Sequence, residues 1–152
     1  MGLRQQLAEA MKTALKAKET KRLSAIRLML AAIQERDVAA RTQDISDEEI
    51  LSVLTKMVKQ REESATTYAN ANRPELAQSE RDEIGVIREF LPKAMDEGQA
   101  QAAVAAVIAE TQASSMKDMG KVMAALKERY AGQMDFAKAS AAVKALLSAP
   151  KT

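Results

Sequence analysis

Cysteine, histidine and tryptophan are all absent from this chain of 152 residues. Without cysteine there is no disulfide framework and no thiolate zinc site. Without histidine the usual base at neutral pH is missing, and with it the familiar nucleophilic triads. Aromatic residues make up 3% of the chain, with five glycines and three prolines. So few turn signals and strand-favouring residues exclude a sandwich or barrel turning every ten residues or so. Glycine-loop phosphate cradles are missing too. Gly120-Lys121-Val122 has the Gly-Lys of a P-loop, but no upstream glycine and no following hydroxyl. No cofactor and no metal is therefore expected. Long apolar runs are also lacking. The opening Met1-Gly2-Leu3-Arg4 has no signal-peptide core. The most apolar stretch, Ala100 to Ala109, is interrupted by Gln101 and has about half the length a membrane span needs. A soluble, cytoplasmic protein without a membrane partner is the expectation.

What is present favours helices. Apolar residues make up 47% of the chain, and Ala, Leu, Ile, Val and nine Met must fill the interior. The sequence predicts an all-α fold, a four-helix unit over residues 1–91 followed by a three-helix bundle over 96–149. Residues 92–95 are expected to link them. Helix 1 runs from about Leu3 to Lys16, with Leu3, Leu7, Met11 and Leu15 on one face. Helix 2 runs from about Thr20 to Ala40, its seam formed by Leu23, Ile26, Leu30 and Ile33, with Leu28 off it. Ser46 and Glu49 form a capping box at helix 3, with Ile45 stapled to Ile50. The core face of helix 3 continues through Leu54, Met57 and Val58 towards Tyr68.

Asn72 suits the left-handed position after helix 3, and Pro74 suits the first turn of helix 4. Leu76, Ile84, Ile87 and Leu91 then share a stripe that ends before Pro92. Asp96 and Gln99 cap helix 5, whose apolar side is Val104, Val107 and Ile108. Ser114-Ser115 caps helix 6, where Met116, Met119, Met123, Leu126 and Tyr130 recur at helical spacing before the Gly132 stop. Asp135 caps helix 7, with Phe136, Val143, Leu146 and Leu147 inward. The tail Ala149-Pro150-Lys151-Thr152 is expected to fray.

Net charge is +2, which by itself announces no polyanionic partner. Its distribution is uneven. Residues 1–41 hold nine basic and four acidic side chains, and residues 42–91 hold six and eleven. Residues 92–152 hold eight and six. The acidic triplet Asp47-Glu48-Glu49 occupies a helix first turn, where anions offset the macrodipole, so it reads as capping rather than catalysis. Arg81, Asp82 and Glu83 read as a solvated helix face, and the methionines mainly as packing.

Two basic groups remain as candidate sites. One surrounds the helix 1–2 hairpin: Lys12, Lys16, Lys18, Lys21, Arg22 and Arg27. Its plain reading is solvated charge. The other lies at the start of helix 6, where Lys117 and Lys121 share one side with Gly120 between them. Glycine inside a helix costs about 1 kcal/mol relative to alanine, so its presence needs a reason. Close approach of another helix is one reason, and close approach of a sugar-phosphate backbone is the other. On spacing alone the two stand level.

Three stretches resemble the YqeY family. They are Arg22-Leu23-Ser24-Ala25-Ile26-Arg27, the run from Tyr68 and Arg73 through Phe90-Leu91-Pro92, and Ser114-Ser115-Met116-Lys117-Asp118-Met119-Gly120-Lys121-Val122-Met123. The resemblance extends over essentially the whole chain. It implies the same four-plus-three helical plan. It also implies kinship with the tail domain of the B subunit of tRNA-dependent amidotransferase, and with modules appended to some glutaminyl-tRNA synthetases. In that enzyme the tail contacts the outer corner of tRNA, the elbow, while the catalytic centres lie elsewhere. Carried over by position, Lys117, Gly120 and Lys121 become the leading contacts, with Ser115 and Lys138 behind them. Gln112 and Asn72 stand where the family often has glycine, and Phe136-Ala137 follows Asp135 in place of a glycine-containing turn.

The resulting expectation is a non-catalytic tRNA-binding accessory module linked to Gln- or Asn-tRNA metabolism. The alternative is a helical interaction module docking on a synthetase or amidotransferase, using helix 6 or the Leu28 side of helix 2. A third reading, carbon–nitrogen ligase activity with glutamine as amido-nitrogen donor, applies only within a larger complex.

Overall fold

A computed structural model describes residues 2–148. The expected frayed tail, Ala149 to Thr152, lies outside the described residues, as does Met1. Among those described, regular structure is wholly helical: α1 Leu3–Lys16, α2 Thr20–Ala39, α3 Asp47–Asn70, α4 Pro74–Arg88, α5 Glu97–Glu110, α6 Met119–Tyr130 and α7 Phe136–Ser148. A single 3-10 turn, Met116–Asp118, precedes α6. The chain divides into two compact units, Met1–Pro92 and Lys93–Thr152. Met95 belongs with the second: its N–H donates to the Gln133 carbonyl at 2.9 Å and its side chain packs against that unit's core.

The ends of the helices follow local chemistry. Ser46 Oγ accepts the Glu49 N–H at 3.1 Å, filling one of the open amides at the start of α3. Asp96 and Gln99 cap reciprocally, at 2.7 and 3.1 Å. Stops use left-handed residues: Lys18, Arg41, Asn72 and Gln112 have φ between 55° and 60°. After each, the next N–H reaches back across the turn, as Glu19 does to Ala14 and Ala113 to Ile108. Gly132, at φ 78°, ends α6.

In the first unit Leu7, Ile26, Met29, Ile33, Ile50, Leu54, Ile84 and Ile87 form the centre of the core. Each fully buried aliphatic side chain is worth about 1.5–3 kcal/mol. Two expected core residues depart from the pattern. Leu15 is 57% exposed and Leu76 is exposed as well, while Ala14 and Ala77 are buried instead. At both places the small side chain takes the buried position and the larger neighbour is exposed. Two cross-ties join α3 to α4: Arg61 to Glu83 at 2.7 Å and Arg88 to Glu62 at 2.6 Å.

The second unit buries Val104 and Val107 of α5, Val122 and Leu126 of α6, and Ala139, Val143 and Leu147 of α7. Here Leu146 and Met116, both expected inward, are exposed. Met119, Met123, Tyr130 and Phe136 are only partly buried at the edge of this core. Of the expected α6 stripe only Leu126 is fully buried, and Val122, which lies off that stripe, is the other buried residue of this helix.

Candidate nucleic-acid interface

The start of α6 is built from three pieces. α5 ends at Thr111, and Gln112 turns the chain in a left-handed conformation. Ser114 and Ser115 then lead into the 3-10 turn. Asp118 Oδ2 accepts the Ser114 N–H at 2.9 Å and the Ser115 N–H at 3.3 Å. Those two amides are thus taken by a carboxylate, and an anion at this turn cannot use them. Any phosphate has to be met by side chains and by close approach over the backbone.

Lys117 lies in the 3-10 turn rather than in the α-helix, and its side chain is exposed with no partner among the described residues. Lys121 is exposed too, but its Nζ donates to the Thr111 carbonyl at 3.2 Å. It closes the C-terminal end of α5, where cations are favoured by the helix dipole. Gly120 is exposed between them, and a Cβ built there would meet nothing within 4 Å. Of the two reasons for a glycine at this position, close packing of another helix of the second unit finds no support among the described residues.

The remaining expected contacts are not brought into this group. Ser115 is partly buried beside Asp118. Lys138 is exposed in the first turn of α7, which begins beyond the far end of α6, a helix about 18 Å long. Its N–H bonds to Asp135 Oδ1 at 3.4 Å, and the Ala137 N–H bonds the same oxygen at 2.9 Å. Arg129, another cation of α6, is already paired with Glu110. Sequence reasoning missed both the Thr111 carbonyl and the Asp118 carboxylate as parts of this site. Asp118 three residues after Ser115 was the available signal.

In the first unit Lys12, Lys16, Lys18, Lys21 and Arg27 are exposed and unpaired among the described residues. Arg22 is not part of that free group. It bridges Glu89 at the end of α4 and lies 3.7 Å from Glu19. It serves the fold.

Comparison with known proteins covers most of the chain. The family model described as Yqey-like protein matches residues 4–147. Among curated proteins, "Altered inheritance of mitochondria protein 41, mitochondrial" of Meyerozyma guilliermondii is 35% identical over 85 residues, covering 56% of this chain and 44% of its own. The Candida glabrata protein of the same name is 33% identical over 90 residues, covering 59% and 47%. That of Vanderwaltozyma polyspora is 29% identical over 91 residues, covering 60% and 47%. The chain therefore aligns with about half the length of these relatives. Their names overturn the cytoplasmic placement expected from the sequence. That expectation rested on the missing apolar run, but mitochondrial addresses are amphipathic and arginine-rich, so the missing run was no guide.

Proposed function

The chain belongs to the YqeY family, and from that membership we propose that its second unit holds tRNA for chemistry performed by other proteins. The carrying observation is Gly120, open to solvent beside two exposed lysines. A helix surface without a Cβ lets a sugar-phosphate backbone approach closely, while Lys117 and Lys121 supply positive charge on either side. Lys121 is already steered by the Thr111 carbonyl, so part of its ordering cost is met before RNA arrives. Ser115 and Lys138 stand outside this trio and contribute less.

Recognition on this reading is of backbone and shape. The chain has two Tyr, two Phe and no Trp, too few rings for the stacking platforms that single-strand binders use. The basic hairpin of the first unit, Lys12, Lys16, Lys21 and Arg27, serves as a secondary electrostatic contact. With neither histidine nor cysteine, glutamine-dependent amide formation is left to a partner synthetase or amidotransferase. The names of the relatives point to mitochondria as the setting. Filter binding tests the proposal. It requires tighter binding of folded tRNA than of an unrelated acidic polymer at matched charge and salt. Equal affinity for the two contradicts it.

A further inference from the structure

The outer face of α2 has no partner among the described residues of the first unit, although it is partly apolar. Leu28 is 43% exposed and Val38 72%, and Ala31 between them is exposed as well. The same helix buries Ile26, Met29 and Ile33 on its other side. An amphipathic surface helix would place polar residues where Leu28, Ala31 and Val38 stand.

The exposed positions form two rows with seven-residue spacing. Lys21, Leu28 and Glu35 make one row, and Ser24, Ala31 and Val38 make the other. Seven residues bring a helix back to within about 20° of its starting direction, so each row is nearly straight. Together they have the 3-4 alternation of a coiled-coil seam, 21-24-28-31-35-38, and all six side chains are exposed. Lys21 and Glu35 have no ion-pair partner among the described residues.

We infer that this face pairs antiparallel with the same face of a second copy of the chain. The charge pattern selects that occupant and that direction. A two-fold axis passing between the two copies of α2, level with Leu28, keeps each row on its own side and reverses its order. Leu28 then meets its own counterpart, Lys21 faces Glu35 of the second copy, and Glu35 faces Lys21. A parallel pair would put Lys21 level with Lys21 and Glu35 level with Glu35. Ser24 and Ala31 are small enough for the helices to approach closely along the second row. The contact is isologous, and it closes at two copies. Val38 falls level with position 18, before α2 of the second copy begins, so only Leu28 and Ala31 are apolar where the two helices overlap. The dimer is therefore weak and forms on raising the concentration.

Sedimentation equilibrium of the full chain, freed of nucleic acid and followed from low micromolar to near-millimolar concentration, tests this. The mass should move from one chain towards two. Leu28→Glu should stay monomeric, as should Lys21→Glu and Glu35→Lys singly. Lys21→Glu combined with Glu35→Lys should restore association. An unmodified chain that stays monomeric throughout would overturn the inference. So would a Leu28→Glu chain that associates unchanged, or a double variant no better than the singles.

Discussion

Arg4 holds Asp37 with both terminal nitrogens of its guanidinium, at 3.0 and 2.9 Å. The same Asp37 accepts the Ile45 N–H at 2.9 Å, and Arg4 Nε reaches Asp44 at 3.2 Å. One ion pair thus joins the start of α1, the end of α2 and the loop leading to α3. Asp37 is the one charged residue found buried among the described residues. It continues the Ile26–Ile33 seam of α2 by four residues, where an apolar side chain would be the rule.

The Arg4 hydrogen bonds, with that of Ile45 N–H behind them, hold the Asp37 carboxyl below the usual carboxylate range. A carboxyl depressed by folding stabilises the protein above its unfolded value, about 3.9, and loses that contribution as pH falls through the folded value. Asp37→Asn should therefore be less stable than the parent at pH 7. The gap between their melting temperatures should narrow as pH is lowered through the region below about 4. A gap that stays constant with pH would contradict this. Arg4→Met should be worse than Asp37→Asn at pH 7, because it leaves the carboxylate buried without its partner.

Leu126 is fully buried at the centre of the second core. Truncation to alanine removes its packing and leaves a cavity, at a cost of about 2–5 kcal/mol. Leu126→Ala should lower the unfolding midpoint of the second unit in urea and weaken tRNA binding with it. Leu146→Ala, at an exposed position of the same unit, should change stability by less than about 0.5 kcal/mol.

Gln112 occupies a left-handed conformation, with φ of 55°, at the end of α5. A residue with a Cβ pays about 1 kcal/mol or more there, which glycine avoids. Gln112→Gly should raise the stability of the second unit by about that amount in urea unfolding. No change, or a loss, would show that the turn is not under strain.

Gly120 separates stability from binding. Nothing lies within 4 Å of its missing Cβ. Gly120→Ala should therefore stabilise α6, by up to about 1 kcal/mol. Gly120→Leu should keep the fold and weaken tRNA binding, because the side chain stands where the RNA backbone would come closest. Undiminished binding by Gly120→Leu would remove the reason given for the glycine.

Most of the fold was legible because helix ends are local events. The Ser46–Glu49 and Asp96–Gln99 caps and the left-handed Asn72 each depend on a few neighbouring residues. The core was legible only to its edges. Leu15 and Leu146 continue real apolar stripes, but each is more than half exposed among the described residues, and the sequence holds no record of where a neighbour ends. Ala14, Ala77 and Ala139 are buried, which a hydrophobicity pattern does not distinguish from an exposed alanine. Asp37 needed Arg4, thirty-three residues away. At the candidate site, the Lys117–Gly120–Lys121 group was readable from spacing. The Asp118 claim on the turn amides and the Thr111 hold on Lys121 depended on how α5 ends.

The central claim is that Lys117 and Lys121 meet phosphates, and the salt dependence of tRNA binding addresses it most directly. Each phosphate neutralised releases condensed counterions and steepens the fall of log affinity with log salt by about 0.7–0.9. Lys117→Ala combined with Lys121→Ala should weaken tRNA binding and flatten that slope by about 1.4–1.8, with helical content unchanged. A variant whose slope and affinity match those of the unmodified chain would contradict the account.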